Sequence, residues 1–489
     1  MQGATRKLAE FATSTGFEQI PRNVVLETKR LILDTIGCAI GGVHTQSGRI
    51  ALEHASLLGG KPTNTVIGTS ERNSASRSAY ANARLGNVLD ADDTFPTGTH
   101  FGSPTIFAAL AMAELQGKSG KDLIKAVTVG FDVGARIGSS IGLALRIEDG
   151  KVAGWPKVAG TSATMTWGAL GAATSIAQLG PELTCEAFGI AGANTPLPAL
   201  RKWSDATRLP MYKYSDAGWC AQTAVEGTLL AKLGSTGYTD ILDGDLGFWR
   251  FYGAPKCDFD LMLAELGTRW HIVDTTYKPW PSCRWTHYPL TAFLNLKAKL
   301  GLKPEEIDKI VVKGSPFAQS YRFKVKQPDN EVNAEFSNAH VLAMAAYDVP
   351  AGPLWYVEDA LKAKRYHDFR ERVSVELEPR STELVQWMQS GQFRKVPGGV
   401  EVHARGSVFS EIVDMAAGDP WSDETRFSDE DLRKKFIGMV CATNLGSAKL
   451  KAKAERIIDC VDRLESLPSV STLCTELALT QDLAQAQIA

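Results

Sequence analysis

The sequence lacks the spacings that mark the commonest metal and redox sites. None of its 8 cysteines forms a CxxC pair, and none of its 8 histidines has another histidine three or four positions away. Structural zinc sites and redox-active disulfides normally depend on such spacing. We therefore predict a reduced, intracellular chain with isolated thiols.

Charge of one sign is also missing. The chain has 53 Lys and Arg against 55 Asp and Glu, a net charge of −2, and no long run of like charges. We therefore expect neither a nucleic acid nor an anionic membrane surface as a partner. Residues 158–181 carry no charge but are rich in small side chains, so we do not expect them to cross a membrane. The N-terminus has no signal-peptide pattern, and a cytoplasmic location is expected.

The chain does have length and a helical pattern at both ends. With 489 residues it exceeds the size of one hydrophobic core, so two domains are predicted. Helical periodicity dominates from about residue 20 to residue 270 and returns at Ser428, where Asp431 completes a capping-box pattern.

Between these helical parts the pattern changes to β-branched, strand-like runs, as at residues 309–313 and 372–378. A hairpin with Pro397, Gly398 and Gly399 as its turn is predicted there. The predicted fold is mainly α: a large all-helical domain built from both chain ends, with an inserted, smaller α+β lid domain. The helical domain is expected to comprise residues 1–270 and 416–489, and the lid domain residues 271–415.

Reactive side chains are densest in the segment from Asp90 to His100. Three carboxylates, those of Asp90, Asp92 and Asp93, occupy four positions and are followed by loop-forming residues. Such carboxylates repel one another unless they meet cations, helix N-termini or water. A carboxylate that fixes the tautomer of a loop histidine makes a general acid or base. The alternative interpretation is that the aspartates only cap helices and that His100 is an ordinary loop residue.

Two further segments could supply positive charge. The segment from Lys278 to His287 has two prolines, then Arg284, ahead of a helix predicted to begin near Ser282. Helix amides with Lys278 and Arg284 nearby would bind a carboxylate, whereas a proline-rich connection with solvent-facing basic residues is the alternative. Lys213 lies in a predicted turn before an Ala-rich helix, and its position alone favours a solvated lysine.

Cofactor patterns are weak. Terpenoid synthases bind magnesium through aspartate clusters, but Asp92 and Asp93 are followed by Thr94, Phe95 and Pro96 rather than by a third carboxylate. No glycine-rich phosphate loop occurs. We therefore predict no metal and no organic cofactor, with a magnesium-dependent terpenoid-type enzyme as a remaining alternative.

Three separate patches of the sequence resemble the MmgE/PrpD family. They are residues 31–38, Asp90 to Thr94 with the following His100, and Lys278 to His287. The similarity extends over nearly the whole chain. The family includes 2-methylcitrate dehydratase, cis-aconitate decarboxylase and iminodisuccinate epimerase. The resemblance implies a helical domain with an inserted lid, a homodimer, and metal-free chemistry at a carbon next to a carboxylate.

The resemblance also implies roles for particular residues. His100, oriented by Asp90, would move the proton, while Lys213 and His287 would stabilise or protonate the developing charge. Thr94 would hydrogen-bond the substrate. The chain is then expected to be a lyase or isomerase that acts on a small carboxylate, with Lys278 and Arg284 binding it. An epimerase of an amino or imino dicarboxylate and a non-catalytic ligand-binding relative are alternatives.

Three positions depart from the family pattern. Trp155 and Asp216 stand where relatives often have histidine, and His340 stands where they often have tyrosine. If all three line the site, they should change how many substrate carboxylates it holds. The expectation is then a substrate other than cis-aconitate or 2-methylcitrate, with fewer carboxylates or with an amine that Asp216 binds.

Overall fold

The computed structural model describes residues 3–141, 146–153, 164–196, 202–203, 210–383 and 394–478. Within these ranges the chain forms 20 α-helices and a few short strands. The predicted mainly α fold with a smaller α+β part is therefore confirmed.

The helices occur in both end parts of the chain and in the region between them. In chain order they are α1 (Ala4–Ser14), α2 (Arg22–Gly42), α3 (Gln46–Leu58), α4 (Ala75–Asn87), α5 (Gly102–Gln116), α6 (Gly120–Ser140), α7 (Met165–Ala177), α8 (Pro181–Ala193), α9 (Ala217–Lys232), α10 (Phe248–Phe251), α11 (Phe259–Leu263), α12 (Arg284–Leu300), α13 (Tyr321–Lys324), α14 (Glu331–Phe336), α15 (Asn338–Ala346), α16 (Glu358–Lys362), α17 (Lys364–Glu371), α18 (Asp429–Val440), α19 (Ala448–Asp462) and α20 (Ser471–Leu477).

The strands form three small sheets. They are β1 (Asn64–Thr65), β2 (Arg72–Asn73), β3 (Arg146–Glu148), β4 (Lys151–Ala153), β5 (Ile307–Gly314), β6 (Val373–Leu377), β7 (Gly398–Ala404) and β8 (Ser407–Val413). The first four make two antiparallel pairs, and the last four make one sheet in the order β6-β5-β7-β8. In that sheet β5 and β6 are parallel, and the other neighbours are antiparallel.

A hairpin is present in this region, but the turn predicted at Pro397, Gly398 and Gly399 is wrong. The chain reverses at Arg405 and Gly406, whose φ angles of 52° and 70° lie in the left-handed region. Gly399 instead lies inside β7, paired with Ile412 of β8. A Cβ on Gly399 would come within 1.9 Å of the Glu411 carbonyl oxygen, so this glycine permits close strand approach rather than a turn.

Local capping explains where several helices begin. Ser428 with Asp431 forms the predicted capping box of α18, and Ser119 with Asp122 forms another at the start of α6. Helix α5 begins at Gly102, directly after the loop that carries His100. Asp93 determines that start because its carboxylate accepts hydrogen bonds from the amides of Phe101 and Gly102.

Buried apolar side chains form two main groups. One extends through α1, α2 and α4 to α9 and includes residues of α18, α19 and α20. The other lies between the β5–β8 sheet and helices α12, α15 and α17. Both ends of the chain thus contribute to the helical core, while the exact domain boundaries stay a prediction. Among the described residues, no helix is long and apolar enough to span a bilayer.

The turn at Arg405 and Gly406 gives a test of the corrected hairpin. A Cβ at Gly406 meets nothing within 4 Å, so Gly406→Ala changes only backbone strain. We expect a loss of about 1 kcal/mol in the free energy of unfolding, because an L side chain disfavours a positive φ.

Gly438→Ala is the matched control, since that position is equally open but lies within α18 at a helical φ. It should leave stability unchanged or raise it by up to about 1 kcal/mol. Urea unfolding of the two variants checks this, and equal effects would contradict the assigned turn.

Candidate functional site

The acidic segment is a buried loop between α4 and α5. Helix α4 ends at Asn87, and Asp90 then adopts a left-handed φ of 51°. The side chains of Asp90, Asp92 and Asp93 are all buried. The side-chain amide of Asn87 donates a hydrogen bond to Asp92 Oδ2 at 2.8 Å, and Asp93 caps α5. Burial and the neighbouring Asp92 hold the pKa of Asp93 well above its ordinary value.

Two lysines distant in sequence converge on Asp90. Lys278 Nζ donates to the Asp90 carbonyl oxygen at 2.8 Å and to its Oδ1 at 3.0 Å. Lys213 Nζ lies 3.4 Å from the same Oδ1 and donates to the Asn87 carbonyl oxygen at 2.7 Å. Both lysines are buried, so the solvated alternative for each is wrong.

The lysines control the charge of Asp90. Burial alone would raise the pKa of this carboxyl, but the ammonium groups of Lys213 and Lys278 outweigh burial and lower it. Asp90 is therefore ionised and forms the centre of a buried cluster, which we call the Asp90–Lys213–Lys278 cluster.

His100 lies beside this cluster in a defined tautomer. Its Nδ1 is 2.6 Å from the Asp93 carbonyl oxygen, which can only accept a hydrogen bond. Nδ1 therefore carries the proton in the neutral ring, and Nε2 keeps its lone pair, 3.9 Å from Asp90 Oδ1. The residue that orients the imidazole is thus Asp93, through its main chain, rather than Asp90 as the sequence suggested. Burial and Lys278 lower the pKa of His100 against the opposing effect of Asp92.

Thr94 is held at the cluster by its main chain. Its amide and carbonyl exchange two 3.0 Å hydrogen bonds with those of Thr276. The hydroxyl of Thr94 is buried and has no hydrogen-bond partner among the described residues. A buried hydroxyl without a partner is suited to bind a ligand oxygen.

The segment from Lys278 to His287 divides into two environments. His287 Nε2 donates to the Ser282 carbonyl oxygen at 3.1 Å, while its buried Nδ1 has no partner within the described part of the chain. Burial, together with Arg284 and Lys278, lowers the pKa of His287 well below its ordinary value. Arg284 forms an ion pair with Asp419 and donates to the Tyr288 hydroxyl at 3.0 Å. Its charge is therefore already offset by protein.

Two of the three departures from the family pattern lie in structural contacts. Asp216 caps α9 by accepting from Gly218 N at 2.7 Å, and it lies 3.4 Å from Arg84. His340 Nε2 donates a hydrogen bond to the Trp355 carbonyl oxygen at 2.7 Å, and its Nδ1 lies 3.2 Å from Arg370 Nη1. Burial lowers the pKa of His340 to about 3. Trp155 lies outside the described residues.

Sequence reasoning missed two neighbours of the cluster. Glu335 on α14 is fully buried, with Oε2 3.0 Å from Lys213 Nζ. Tyr214 places its ring 6.5 Å from that of His100. Tyr214 adjoins Lys213 in the sequence, which was the available signal for it, whereas Glu335 belongs to no recognisable motif.

Asp90, Asp92 and His100 also bring one ligand atom each within 4.8 Å of one another. This spacing alone would suit a metal ion. The Asp90 oxygen, however, already contacts two ammonium groups, those of Lys213 and Lys278. A further cation would meet their repulsion, so the donor set fits an anionic ligand better than a metal.

The cluster predicts a strong effect of removing the Asp90 charge. Asp90→Asn leaves two buried ammonium groups without their shared carboxylate, which should lower the free energy of unfolding by about 3 kcal/mol or more. The folded-state pKa of Asp90 lies below the ordinary 3.8, so its contribution is complete above that value and is lost as pH falls through the folded pKa.

The stability difference between the wild type and Asp90→Asn should therefore persist throughout the range from about pH 5 to about pH 8. Denaturant unfolding at several pH values measures it. The exposed Asp423→Asn is the control and should have no measurable effect. A variant as stable as the wild type at any pH in this range would contradict the assigned ionisation.

Comparison with known proteins adds an independent line of evidence. The model of the MmgE/PrpD N-terminal domain matches residues 6–259, and that of the MmgE/PrpD C-terminal domain matches residues 280–463. The chain is 25% identical to human cis-aconitate decarboxylase over 467 residues, which cover 93% of this chain and 90% of that protein.

Two further relatives agree. Cis-aconitate decarboxylase of Aspergillus terreus is 25% identical, with 96% of this chain and 95% of the relative covered. That of Mus musculus is 24% identical, with 97% and 93% covered. The two domain models together match most of the chain, and the chain therefore belongs to the MmgE/PrpD family.

Proposed function

We propose that the chain is a lyase that acts on a small polycarboxylate by moving a proton at a carbon next to a carboxylate. The observation that carries this proposal is the tautomer of His100. Its Nε2 lone pair lies beside the Asp90–Lys213–Lys278 cluster, so a base and two cations share one buried site. The curated relatives, which are cis-aconitate decarboxylases, support the lyase class.

The proposed first step is removal of a proton from substrate carbon. His100 Nε2 accepts the proton, and the electron pair of the broken C–H bond moves into the adjacent carboxylate as an enolate-like charge. The Lys213 and Lys278 ammonium groups stabilise that charge. Collapse of the intermediate then expels a leaving group, as hydroxide in a dehydration. In a decarboxylation no C–H bond is broken first: CO₂ leaves, the electron pair of the C–CO₂ bond forms the enolate-like charge, and a substrate carbon then receives one proton from the site.

Thr94 and His287 complete this proposal. The free hydroxyl of Thr94 would bind a substrate oxygen, and the unpaired Nδ1 of His287 would accept a hydrogen bond from a substrate hydroxyl. Arg284 would contribute little charge to substrate binding, since Asp419 offsets its charge. The homodimer implied by the family resemblance is part of the same proposal.

The protein contacts of Asp216 and His340 remove two of the three reasons to expect a substrate unlike those of the relatives. Asp216 is engaged with a helix N-terminus and Arg84, so it is not available to bind a substrate amine. This removes the particular support for an epimerase of an amino dicarboxylate. The expectation of a substrate other than cis-aconitate then depends on Trp155 alone, and cis-aconitate belongs among the acids to be tested.

Proton exchange tests the proposed step without knowledge of the product. Hydroxy-, amino- and unsaturated di- and tricarboxylates would be incubated with the protein in deuterated water, and incorporation of deuterium measured by mass spectrometry. Exchange with a polycarboxylate is expected. Exchange confined to amino acids would indicate an epimerase, and ligand binding without any exchange would indicate a non-catalytic relative.

Substitution of His100 tests its role as the base. His100→Ala should lower exchange and turnover by about 10²- to 10⁴-fold, the usual contribution of a positioned general base. His403→Ala is the control, because His403 lies on β7 beside Glu401, outside the cluster, and should retain activity. Retained exchange in His100→Ala would overturn the assignment.

The pH dependence of turnover should carry the signature of the buried imidazole. Because the pKa of His100 is lowered from 6.5, the ring stays neutral at pH 6.5 and loses its function as a base only at lower pH. We expect kcat/KM for the exchanging acid to fall on the acid side with an apparent pKa below 6.5. A midpoint above 6.5 would show that another group is the base.

A further inference from the structure

Glu335 lies against Lys213 in the buried site. Its carboxyl is fully buried, with Oε2 3.0 Å from Lys213 Nζ, and Oε1 has no hydrogen-bond partner among the described residues. Its main-chain carbonyl accepts a 2.9 Å hydrogen bond from Cys283 N, inside the segment that carries Lys278 and His287. The main chain of Glu335 is therefore joined to that segment, and its buried carboxyl lies against Lys213.

Lys213 consequently lies between two carboxylates. Asp90 Oδ1 is 3.4 Å from its ammonium group, and Glu335 Oε2 is 3.0 Å away. Asp90 is shared with Lys278, so it offsets only part of the charge of Lys213. An ionised Glu335 would offset the rest, whereas a protonated Glu335 would leave positive charge for an incoming anion.

We propose that Glu335 sets the affinity of the site for a substrate carboxylate by controlling how much of the Lys213 charge is free. The site binds a polycarboxylate when Glu335 is protonated and loses affinity when Glu335 ionises. Glu335 is thus a positioning residue that acts through Lys213, and this inference rests on the polycarboxylate substrate of the proposed function.

The surroundings of Glu335 support this assignment. Burial raises its pKa well above the ordinary value, and the carboxylates of Asp90 and Glu331 act in the same direction against Lys213. The neighbouring Tyr214 and Tyr356 have strongly raised pKa values for the same reason, so they remain neutral and do not compete for the proton. The guanidinium of Arg322, on the nearby α13, lies over the rings of Trp203 and Phe336, and no ion pair between Arg322 and Glu335 occurs among the described residues.

Binding of tricarballylate, a saturated tricarboxylate without a leaving group, tests the inference separately from turnover. Its Kd would be measured by calorimetry from about pH 5 to about pH 9 for the wild type and for Glu335→Gln. The wild-type Kd should rise by up to about tenfold per pH unit above the pKa of Glu335. Glu335→Gln, which cannot ionise, should show little of this rise and should bind more tightly than the wild type at high pH.

Glu114→Gln is the matched control. Glu114 pairs with Arg72 at 3.0 Å, the same separation as in the Lys213–Glu335 pair, but it lies on α5 near β1. Its variant should reproduce the wild-type dependence of Kd on pH. Thermal unfolding of all three proteins establishes that each is folded.

The outcomes separate this inference from the proposed reaction. The same pH dependence in the wild type and Glu335→Gln, or no tricarballylate binding at any pH, overturns the role of Glu335. The expected binding profile without any deuterium exchange supports the role of Glu335 and overturns the lyase. Deuterium exchange together with a wild-type binding profile in Glu335→Gln supports the lyase and overturns the role of Glu335.

Discussion

The ion pairs of one carboxylate, that of Asp90, with Lys213 and Lys278 are the interaction on which the rest of the site depends. Two ammonium groups could not remain buried without an ionised partner, because desolvation strongly disfavours unpaired charge. Asp90 meets both from a left-handed backbone conformation just after α4. The two lysines come from segments before α9 and before α12, so this carboxylate joins three parts of the chain.

Asp93 links the fold of the helical domain to the chemistry of the site. Its carboxylate caps α5, while its carbonyl oxygen accepts a hydrogen bond from His100 Nδ1. The same residue therefore determines where a helix begins and which ring nitrogen of the histidine is free. A change that disturbs the cap would also disturb the tautomer, which couples helix α5 directly to the proposed base.

Much of this arrangement could be predicted from local patterns. The capping boxes at Ser119 and Ser428 depend on residues three positions apart, and such contacts form within one helical turn. The acidic loop, His100 and the lysine segment were recognisable because each is contiguous in the chain. The hairpin turn was assigned wrongly since Pro397 and two glycines resemble a turn locally, whereas the register of β7 is determined by its partners β5 and β8.

The sequence by itself determined the helical character of the chain, its family resemblance and the residues with reactive side chains, because these depend on composition and on short-range spacing. Only the tertiary structure decided which charges meet. It brought Lys213, Lys278 and Glu335 to one buried centre, and it placed Asp216 and His340 in structural contacts instead. The physical reason is that an ion pair between residues more than 100 positions apart depends on how helices and loops pack, and no local pattern encodes that distance.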